Sequence, residues 1–225
     1  MSGNDVEIAA SKLGTKEFWD ERYEVELKNF EEFGDEGEIW FGQSAEKRIV
    51  DHLGKSKTPK NSKIVDIGCG NGSVLRRLKE KGFTDLIGVD YCEAAVRLAE
   101  QSSREDDGFP PEIEIRFEQL DILAPQRPFF DGSFSIVLDK GTWDAISLAE
   151  DREERLKKYK KSVVDALSPD GQFIIFSCNF TEEELKGQFS DTLVFDAVIP
   201  ATHSFSFGGK DGVTSTGIVF RKRNC

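Results

Sequence analysis

The chain has 225 residues, with 30 basic and 42 acidic side chains and a formal net charge of −12. This length suits one domain with a full core, or one domain with an extension, and no apolar run is long enough to span a bilayer. The four cysteines lie far apart without a C-x-x-C pair, which argues against a zinc ribbon, an iron–sulfur cluster and a secreted disulfide framework. Since the N-terminus also lacks the order of a signal peptide, we expect a cytoplasmic protein that can also occur in the nucleus.

The first 60 residues are predicted to form an acidic helical extension. Apolar side chains recur at spacings of three and four over residues 15–33, which predicts an amphipathic helix. A glycine-bearing loop follows at 34–42, and Ser44 is placed to cap a helix that runs to about Leu53. Twelve acids stand against four bases in the first 40 residues. This surface would repel phosphate backbones, so nucleic acid is not the expected partner, although a merely solubilising face is the alternative.

From residue 61 onward, short apolar segments alternate with helical ones. Strands are predicted at 64–67, 86–90, 113–117, 134–139 and 172–177. Helices are predicted at 73–81, 93–103 and 150–167, and a further helix begins at 181–185. Two last strands, 193–199 and 215–221, follow one another without a helix and should pair antiparallel. The alternation predicts an α/β fold with a doubly wound parallel sheet, whose ligand lies at the carboxyl ends of the strands.

Three glycines follow the first of these strands in the sequence D-I-G-C-G-N-G at 66–72. Gly68 and Gly70 permit a tight turn and let a ligand lie against bare backbone. Asp90 ends the second strand, 22 residues after Gly68, where a carboxylate can accept hydrogen bonds from both ribose hydroxyls of a nucleoside. A helix cap is the alternative role for Asp90. The pattern predicts a cofactor that contains a nucleoside.

The charge of that cofactor is indicated by Asp66, two residues before the first glycine. A dinucleotide fingerprint has a third glycine where this chain has Ser73, and a pyrophosphate favours a helix N-terminus without an anion nearby. A carboxylate suits an amino group or a sulfonium instead, and S-adenosylmethionine has both. Asp121, after the third strand, is placed to accept from the adenine amino group with Ile122 beside the ring; an ordinary turn acid is the alternative.

D-I-G-C-G-N-G, V-D-Y and L-D-I together resemble the cofactor motifs of the seven-strand (class I) S-adenosylmethionine-dependent methyltransferases. The resemblance covers about residues 60–222. It implies a Rossmann-like doubly wound sheet of seven strands, mostly parallel with an antiparallel last strand. Residues 61–225 would form the cofactor-binding domain and residues 1–60 a helical extension that acts as a lid. By these motifs Cys69 and Tyr91 would also contact the cofactor.

Four further stretches, at 13–27, 37–42, 138–148 and 177–181, resemble the eukaryotic elongation factor 1-alpha lysine methyltransferases. This implies a cytoplasmic protein-lysine N-methyltransferase that acts on a translation elongation factor. Nothing in the sequence requires more than a monomer, and no metal site or membrane contact is expected.

The acceptor side of the site is predicted from the ends of the fourth and fifth strands. Asp139 stands where this fold points a side chain at the transferred methyl, so it is the candidate contact for the incoming lysine ammonium, with Trp143 as a channel wall. Capping of the following helix is the alternative for Asp139. Asn179 is placed to hydrogen-bond at the mouth of the site. Trp40 would fold over the cofactor as part of the lid, with core packing as its alternative.

Some candidates are weaker. Trp19 and Tyr23, one helical turn apart, are more typical of core packing. Phe205 and Phe207 could line the substrate channel, but a simple hydrophobic hairpin is favoured, and His203 has no partner at metal-ligand spacing.

Three other functions are alternatives for this sequence. A methyltransferase acting on a small molecule, a nucleic acid or another protein would share the fold, and the acidic N-terminus argues against nucleic acid. A nicotinamide-dependent oxidoreductase is disfavoured by Asp66 and Ser73. A non-catalytic binding module is disfavoured by the intact glycine loop and Asp90.

Overall fold

The computed structural model describes residues 9–105, 113–124, 128–201, 205–207, 210–212 and 215–223. A 3-10 turn at Lys12–Gly14 precedes the helices. The helices are α1 (Lys16–Phe33), α2 (Gly42–Lys55), α3 (Ser73–Glu80), α4 (Glu93–Glu105), α5 (Thr142–Ser147), α6 (Arg152–Ala166) and α7 (Glu182–Phe189). The strands are β1 (Lys63–Ile67), β2 (Asp85–Asp90), β3 (Ile115–Gln119), β4 (Phe134–Lys140), β5 (Leu167–Ser177), β6 (Leu193–Ile199), β7 (Phe205–Phe207), β8 (Lys210–Gly212) and β9 (Thr216–Lys222).

Seven strands form one sheet in the order β3-β2-β1-β4-β5-β9-β6. The first five strands of this order are parallel to one another, and β9 is antiparallel to both β5 and β6. The prediction of a mostly parallel, seven-stranded sheet with an antiparallel last strand is confirmed. The chain order reverses between β1 and β4, so their carboxyl ends form the switch point at which open α/β sheets bind ligands.

Several elements differ from the predicted ones. The second helix begins at Gly42, so Ser44 lies inside α2 and is not its N-cap. β3 lies two residues later than expected, and α5 is a six-residue helix that the periodicity did not indicate. The turn-like sequence S-P-D-G, predicted to end a helix, instead lies inside β5, where the pairing with β4 shifts register between Phe134 and Ile136. Between β6 and β9, a separate two-stranded hairpin pairs β7 with β8. None of these changes alters the order of the strands that carry the site.

The core lies on both faces of the sheet because successive residues of a buried strand point to opposite sides. On β1, Ile64 belongs to the cluster that α2 and α3 cover, whereas Val65 belongs to the cluster covered by α6 and α7. The helical extension packs directly onto this body. The apolar face of α1 (Tyr23, Leu27 and Phe30) meets α4, and α2 contributes to the cluster around Ile64. The extension therefore sits at the carboxyl edge of the sheet.

Arg48 links α2 to the end of β6 and to the residue before β9, at the same edge of the sheet. Its guanidinium donates to the carbonyl oxygens of Ile199, Pro200 and Ser215, at the end of β6 and just before β9, and it lies 4.8 Å from the centroid of the Phe176 ring. Within the described residues, no helix combines the length and the apolar character that crossing a membrane requires.

Candidate cofactor and active site

A cavity of about 530 Å³ opens at the carboxyl edge, above β1, β2 and β4. Its floor is the glycine loop that follows β1, and its sides come from the ends of β2 and β4 and from the segments after β3 and β5. The N-terminal extension closes it, through residues 13–16 and side chains of α1 and its loop. The cavity therefore occupies the switch point and is large enough for a nucleoside-sized ligand.

The glycine loop is shaped so that only glycine fits. Gly68, Gly70 and Gly72 all have φ between +54° and +72°, in the left-handed region. A Cβ on Gly68 would lie 2.0 Å from Oγ1 of Thr142, and one on Gly70 would lie 2.4 Å from the Tyr23 hydroxyl oxygen. The loop is thus packed against its neighbours on one side and presents bare backbone to the cavity through Gly68, Cys69 and Gly70.

Asp90 lines the cavity at the end of β2 and is held by backbone donors. One carboxylate oxygen accepts from the Gly70 N–H at 3.1 Å and the other from the Cys92 N–H at 3.0 Å. Burial raises the pKa of Asp90 to about 6, and these two hydrogen bonds oppose the rise. Both the ligand contact and the cap near the start of α4 that the sequence allowed are compatible with this position.

Asp66 lies in β1 beneath the glycine loop and is 2% exposed. Its Oδ1 atom has no hydrogen-bond partner among the described residues. Burial raises the pKa of Asp66 to about 7, Lys140 opposes the rise, and Glu46 and Asp90 add to it. A buried carboxylate with an unused oxygen is costly, and a cationic ligand group would relieve that cost. Asp66 does not itself line the cavity, so its expected contact with an amino or sulfonium group of the ligand stays a prediction.

The segments after β2 and β3 supply the opposite end of the cavity. Tyr91, Asp121 and Ile122 all line it, and the ammonium of Lys16 lies 5.1 Å from the centroid of the Tyr91 ring. Asp121 accepts from the Leu123 N–H at 2.9 Å, so its carboxylate shapes the turn as well as facing the cavity. A flat aromatic wall with a nearby acceptor suits a purine ring. The assignment of these residues to adenine stays a prediction.

Asp139 is placed differently from what the sequence suggested. It is fully buried and does not line the cavity, because its carboxylate is turned toward α5. It accepts from the N–H groups of Thr142 and Trp143, at 2.9 Å each, and from the hydroxyl of Tyr159. Burial raises its pKa to about 7. This geometry is that of the helix cap named as the alternative, and it gives no approach to a substrate.

Trp143 is likewise a core residue in the structure. Its ring is fully buried and packs against Tyr159, Phe180 and Phe189 at centroid distances of 4.8 to 6.0 Å. It therefore does not form a channel wall. Asn179, in contrast, lines the cavity as predicted, just after the end of β5.

Asp144 is the cavity carboxylate that the sequence reasoning missed. It lines the cavity from α5 and is 4% exposed. One oxygen accepts from the Ser177 hydroxyl, and the other accepts from the N–H groups of Cys178 and Asn179 at 2.7 and 3.2 Å. Burial raises its pKa, and these bonds oppose the rise. Asp144 is the last residue of the motif L-D-K-G-T-W-D, but the helix α5, which turns its side chain toward the end of β5, was not predicted.

Aromatic residues of the extension form one wall of the cavity. Trp40 and Trp19 contact edge to face at 4.9 Å, and both line the cavity together with Phe41 and Tyr23. Phe41 has φ +66°, an uncommon value for a residue with a side chain, and its ring approaches Gly141 so closely that a Cβ there would lie 3.0 Å away. The predicted place of Trp40 over the cavity and the predicted packing of α1 thus occur together.

Two further expectations concern other groups. Among the described residues, no set of three or more His, Cys, Asp and Glu side chains could hold a metal ion. His203 and the side chains of Phe205 and Phe207 lie outside the described residues.

Three features define the class of protein. They are the glycine loop with its left-handed backbone, the acids Asp66 and Asp90 next to that loop, and a sheet in which β9 runs antiparallel. The protein is an S-adenosylmethionine-dependent methyltransferase. The family described as a methyltransferase domain matches residues 58–213. The crystal structure of the N-methyltransferase NodS from Bradyrhizobium japonicum, in complex with S-adenosyl-L-homocysteine, shares the fold with a TM-score of 0.63 at 16% identity, covering 92% of this chain and 99% of that one.

Closer relatives define the group within that class. EEF1A lysine methyltransferase 2 of Homo sapiens is 41% identical over 213 residues, covering 94% of this chain and 87% of the relative. The protein-lysine N-methyltransferase efm4 of Schizosaccharomyces pombe is 39% identical over 239 residues, covering 98% and 97%. The chain belongs to the methyltransferase family that contains these two proteins, as its motifs had indicated.

Proposed function

We propose that this protein transfers a methyl group from S-adenosylmethionine to a lysine amine of translation elongation factor 1-alpha. The observation that carries the proposal is the extent of the similarity. The chain covers 87% and 97% of two relatives that are named as lysine methyltransferases, so the similarity spans the lid and the acceptor-side segments as well as the cofactor fold. We further propose that the chain acts as a monomer, and the substrate's role in translation supports a cytoplasmic location.

The strand order sets the direction in which the cofactor lies. Asp121 and Ile122 follow β3, Asp90 ends β2, and Asp66 and the glycine loop belong to β1 and its end. Adenine, ribose and the methionine portion would therefore run in that order along the edge, toward β4. The bound cofactor supplies an electrophilic methyl group and a thioether leaving group. The residues named here bind and orient it, and the lid excludes water.

The acceptor amine would approach from the side of β4 and β5. There the cavity is lined by Asp144 and Asn179 and is faced by the aromatic lid residues Trp40 and Phe41. A lysine amine must be neutral to attack, and transfer into this partly apolar space lowers its pKa. Asp144 takes the role that the sequence gave to Asp139. Its negative charge attracts the lysine ammonium, and its bonds to the Cys178 and Asn179 N–H groups fix the loop that borders the acceptor.

The transfer balances without a cofactor beyond the methyl donor. The cofactor would supply the methyl group to the nitrogen as its sulfur–carbon bond breaks and would leave as a neutral thioether, and the proton of the new ammonium would leave to water. Positioning and desolvation are then the protein's main contributions.

The test is methylation of purified elongation factor 1-alpha with isotope-labelled S-adenosylmethionine, followed by peptide mass spectrometry to find the modified lysine. An Asp90→Ala variant serves as the matched control, because it removes the cavity carboxylate at the end of β2. The same protein is also incubated with a eukaryotic lysate, with and without ribonuclease. A single labelled protein of the size of the elongation factor, unaffected by ribonuclease, is expected. Label in RNA, in small metabolites or in a different protein would contradict the proposal.

A further inference from the structure

Lys140 is a cation of the cavity that has no part in the transfer proposed above. It is the last residue of β4, and its side chain is 15% exposed. We propose that Lys140 binds the carboxylate of the cofactor's methionine portion and thereby makes the cavity selective for a methyl donor with an intact amino-acid head. The inference rests on the bound cofactor alone and not on the identity of the acceptor.

The position of Lys140 relative to Asp66 supports this role. Asp66 of β1 lies opposite Leu138 of β4 in the parallel ladder, two residues before Lys140. Since side chains two apart on a strand share a face, Lys140 and Asp66 face the same side of the sheet. They flank the place where the chain order reverses, at the end of the cavity farthest from Asp121. An amino-acid head carries one ammonium and one carboxylate on the same carbon. The unused oxygen of Asp66, which lies beneath the cavity-lining glycine loop, suits the first, and the ammonium of Lys140, which lines the cavity, suits the second.

The ion pairs that the basic side chains of the cavity make with carboxylates also support it. Within the part of the chain that the structure describes, three basic side chains line the cavity: Lys16, Lys140 and Arg155. The Lys16 ammonium is paired with Asp20 at the side of the cavity that holds Tyr91, and the Nε atom of Arg155 lies 2.6 Å from Asp151. Both are therefore committed to carboxylates at hydrogen-bond distance.

Lys140, in contrast, lies farther from its nearest carboxylate partner. It donates one hydrogen bond, to the Trp40 carbonyl oxygen at 3.1 Å. Among the described residues its nearest recorded carboxylate is Glu46, at 3.9 Å, beyond hydrogen-bond distance. Glu46 itself is already engaged by the Ser73 hydroxyl and by Arg77. An ammonium has three donors, so Lys140 can take a carboxylate without losing its bond to the lid.

A purely structural role for Lys140 predicts something different. If it only tied Trp40 to β4, its loss would loosen the lid and weaken every cofactor analogue alike. If it binds the carboxylate, its loss would weaken only ligands that have one. Decarboxylated S-adenosylmethionine, which keeps the adenosine, the sulfonium and the amino group, separates the two roles.

The experiment is calorimetric titration of the full chain with S-adenosylmethionine and with its decarboxylated form. Wild-type protein is expected to prefer the intact cofactor by about tenfold or more, the effect of one charge-assisted hydrogen bond. In Lys140→Gln, whose amide can still donate to Trp40, the affinity for the intact cofactor should fall by about that factor. The affinity for the decarboxylated form should stay within about twofold, so that the preference disappears.

Two further variants keep the result interpretable. Lys140→Arg retains a cation and should keep the preference, and Lys16→Gln, at the other lysine of the cavity, should leave the ratio of the two affinities as in wild type. Thermal unfolding of each free variant checks that it folds. Equal losses for both ligands in Lys140→Gln would assign Lys140 to the lid alone, and an unchanged preference would also overturn the proposal. Neither outcome depends on whether elongation factor 1-alpha is the acceptor.

Discussion

Two aspartates of the same short segment show how a residue's neighbours decide its role. Asp139 receives its hydrogen bonds from the start of α5 and from Tyr159, and it is closed off from the cavity. Asp144 receives its bonds from the loop after β5 and faces the cavity. The sequence alone favoured Asp139, because the end of the fourth strand is where the fold places its acceptor contacts. The structure instead brings Asp144, on the following helix, to the cavity.

The different roles of these two aspartates predict different outcomes for their asparagine variants. Asp139→Asn places an amide donor against backbone donors, so unfolding in urea should show a loss of about 1–3 kcal/mol. Asp144→Asn should keep cofactor affinity within about twofold while lowering turnover by about tenfold or more, because the anion on the acceptor side is lost. Calorimetry and initial-rate measurements check both. A turnover loss in Asp139→Asn at unchanged stability would reverse the two assignments.

At the scale of elements, the N-terminal 3-10 turn is what closes the cavity. The Ser11 N–H donates to the Leu148 carbonyl oxygen at 3.0 Å, at the end of α5. Gly14 approaches the same backbone so closely that a Cβ would lie 2.3 Å from the Leu148 carbonyl carbon. Because the turn contributes Leu13 and Gly14 to the cavity lining, its seat on α5 and the shape of the site are coupled.

Gly14→Ala should therefore unseat the turn. The expected result is a cofactor affinity lowered by about tenfold and faster hydrogen exchange over residues 11–16, with the rest of the sheet protected as in wild type. Gly54→Ala is the matched control, since a Cβ there meets open space on α2. It should leave affinity unchanged and raise stability by up to about 1 kcal/mol. Equal affinities in the two variants would show that the turn is not part of the site.

Arg48 supports a second element-scale prediction. Arg48→Met would leave the carbonyl oxygens of Ile199, Pro200 and Ser215 without their guanidinium donor, which should cost about 3 kcal/mol. For a chain of this size that corresponds to a fall in Tm of roughly 6–12 °C. Lys47→Ala, which removes an exposed ion pair with Asp51, should change stability by less than about 1 kcal/mol. A matching small effect in Arg48→Met would show that water replaces the lost donor.

At the scale of the whole molecule, the order of strands and the cofactor edge could be predicted from sequence, because they follow from alternation and from the glycine loop. The short elements could not. α5 has six residues, too few for a periodic signal, and its cap is the side chain of Asp139, which belongs to the preceding strand. The same limit hid Asp144 and Lys140, since their direction depends on how α5 and the lid pack. The cavity-lining residues that the sequence indicated most directly are those that bear on the backbone itself, such as Gly68, Gly70 and Asp90.

The buried carboxyl groups also link the whole molecule's stability to pH. The pKa is raised to about 7 for Asp66 and Asp139 and to about 6 for Asp90, above the ordinary value of 3.8. The folded state therefore binds protons more tightly than the unfolded chain. This contribution to stability is fully present below the ordinary value of 3.8 and is lost as the pH rises from there through about 6 to 7. Burial lowers the pKa of His52, and this single group has the opposite effect on the pH dependence of stability.

Cofactor binding should show the opposite dependence. A cationic ligand prefers the ionised forms of Asp66 and Asp90, so the rise in Tm that S-adenosylmethionine produces should grow between about pH 5.5 and about pH 7.5 while the Tm of the free protein falls. Thermal unfolding with and without cofactor across that range is the measurement. Asp66→Asn should raise the free protein's Tm at pH 8, because it removes an ionised buried group with an unused oxygen, and should flatten the pH dependence of the cofactor effect. A cofactor-induced shift in Tm that is the same at both ends of the range would mean that neither carboxyl group senses the cofactor's charge.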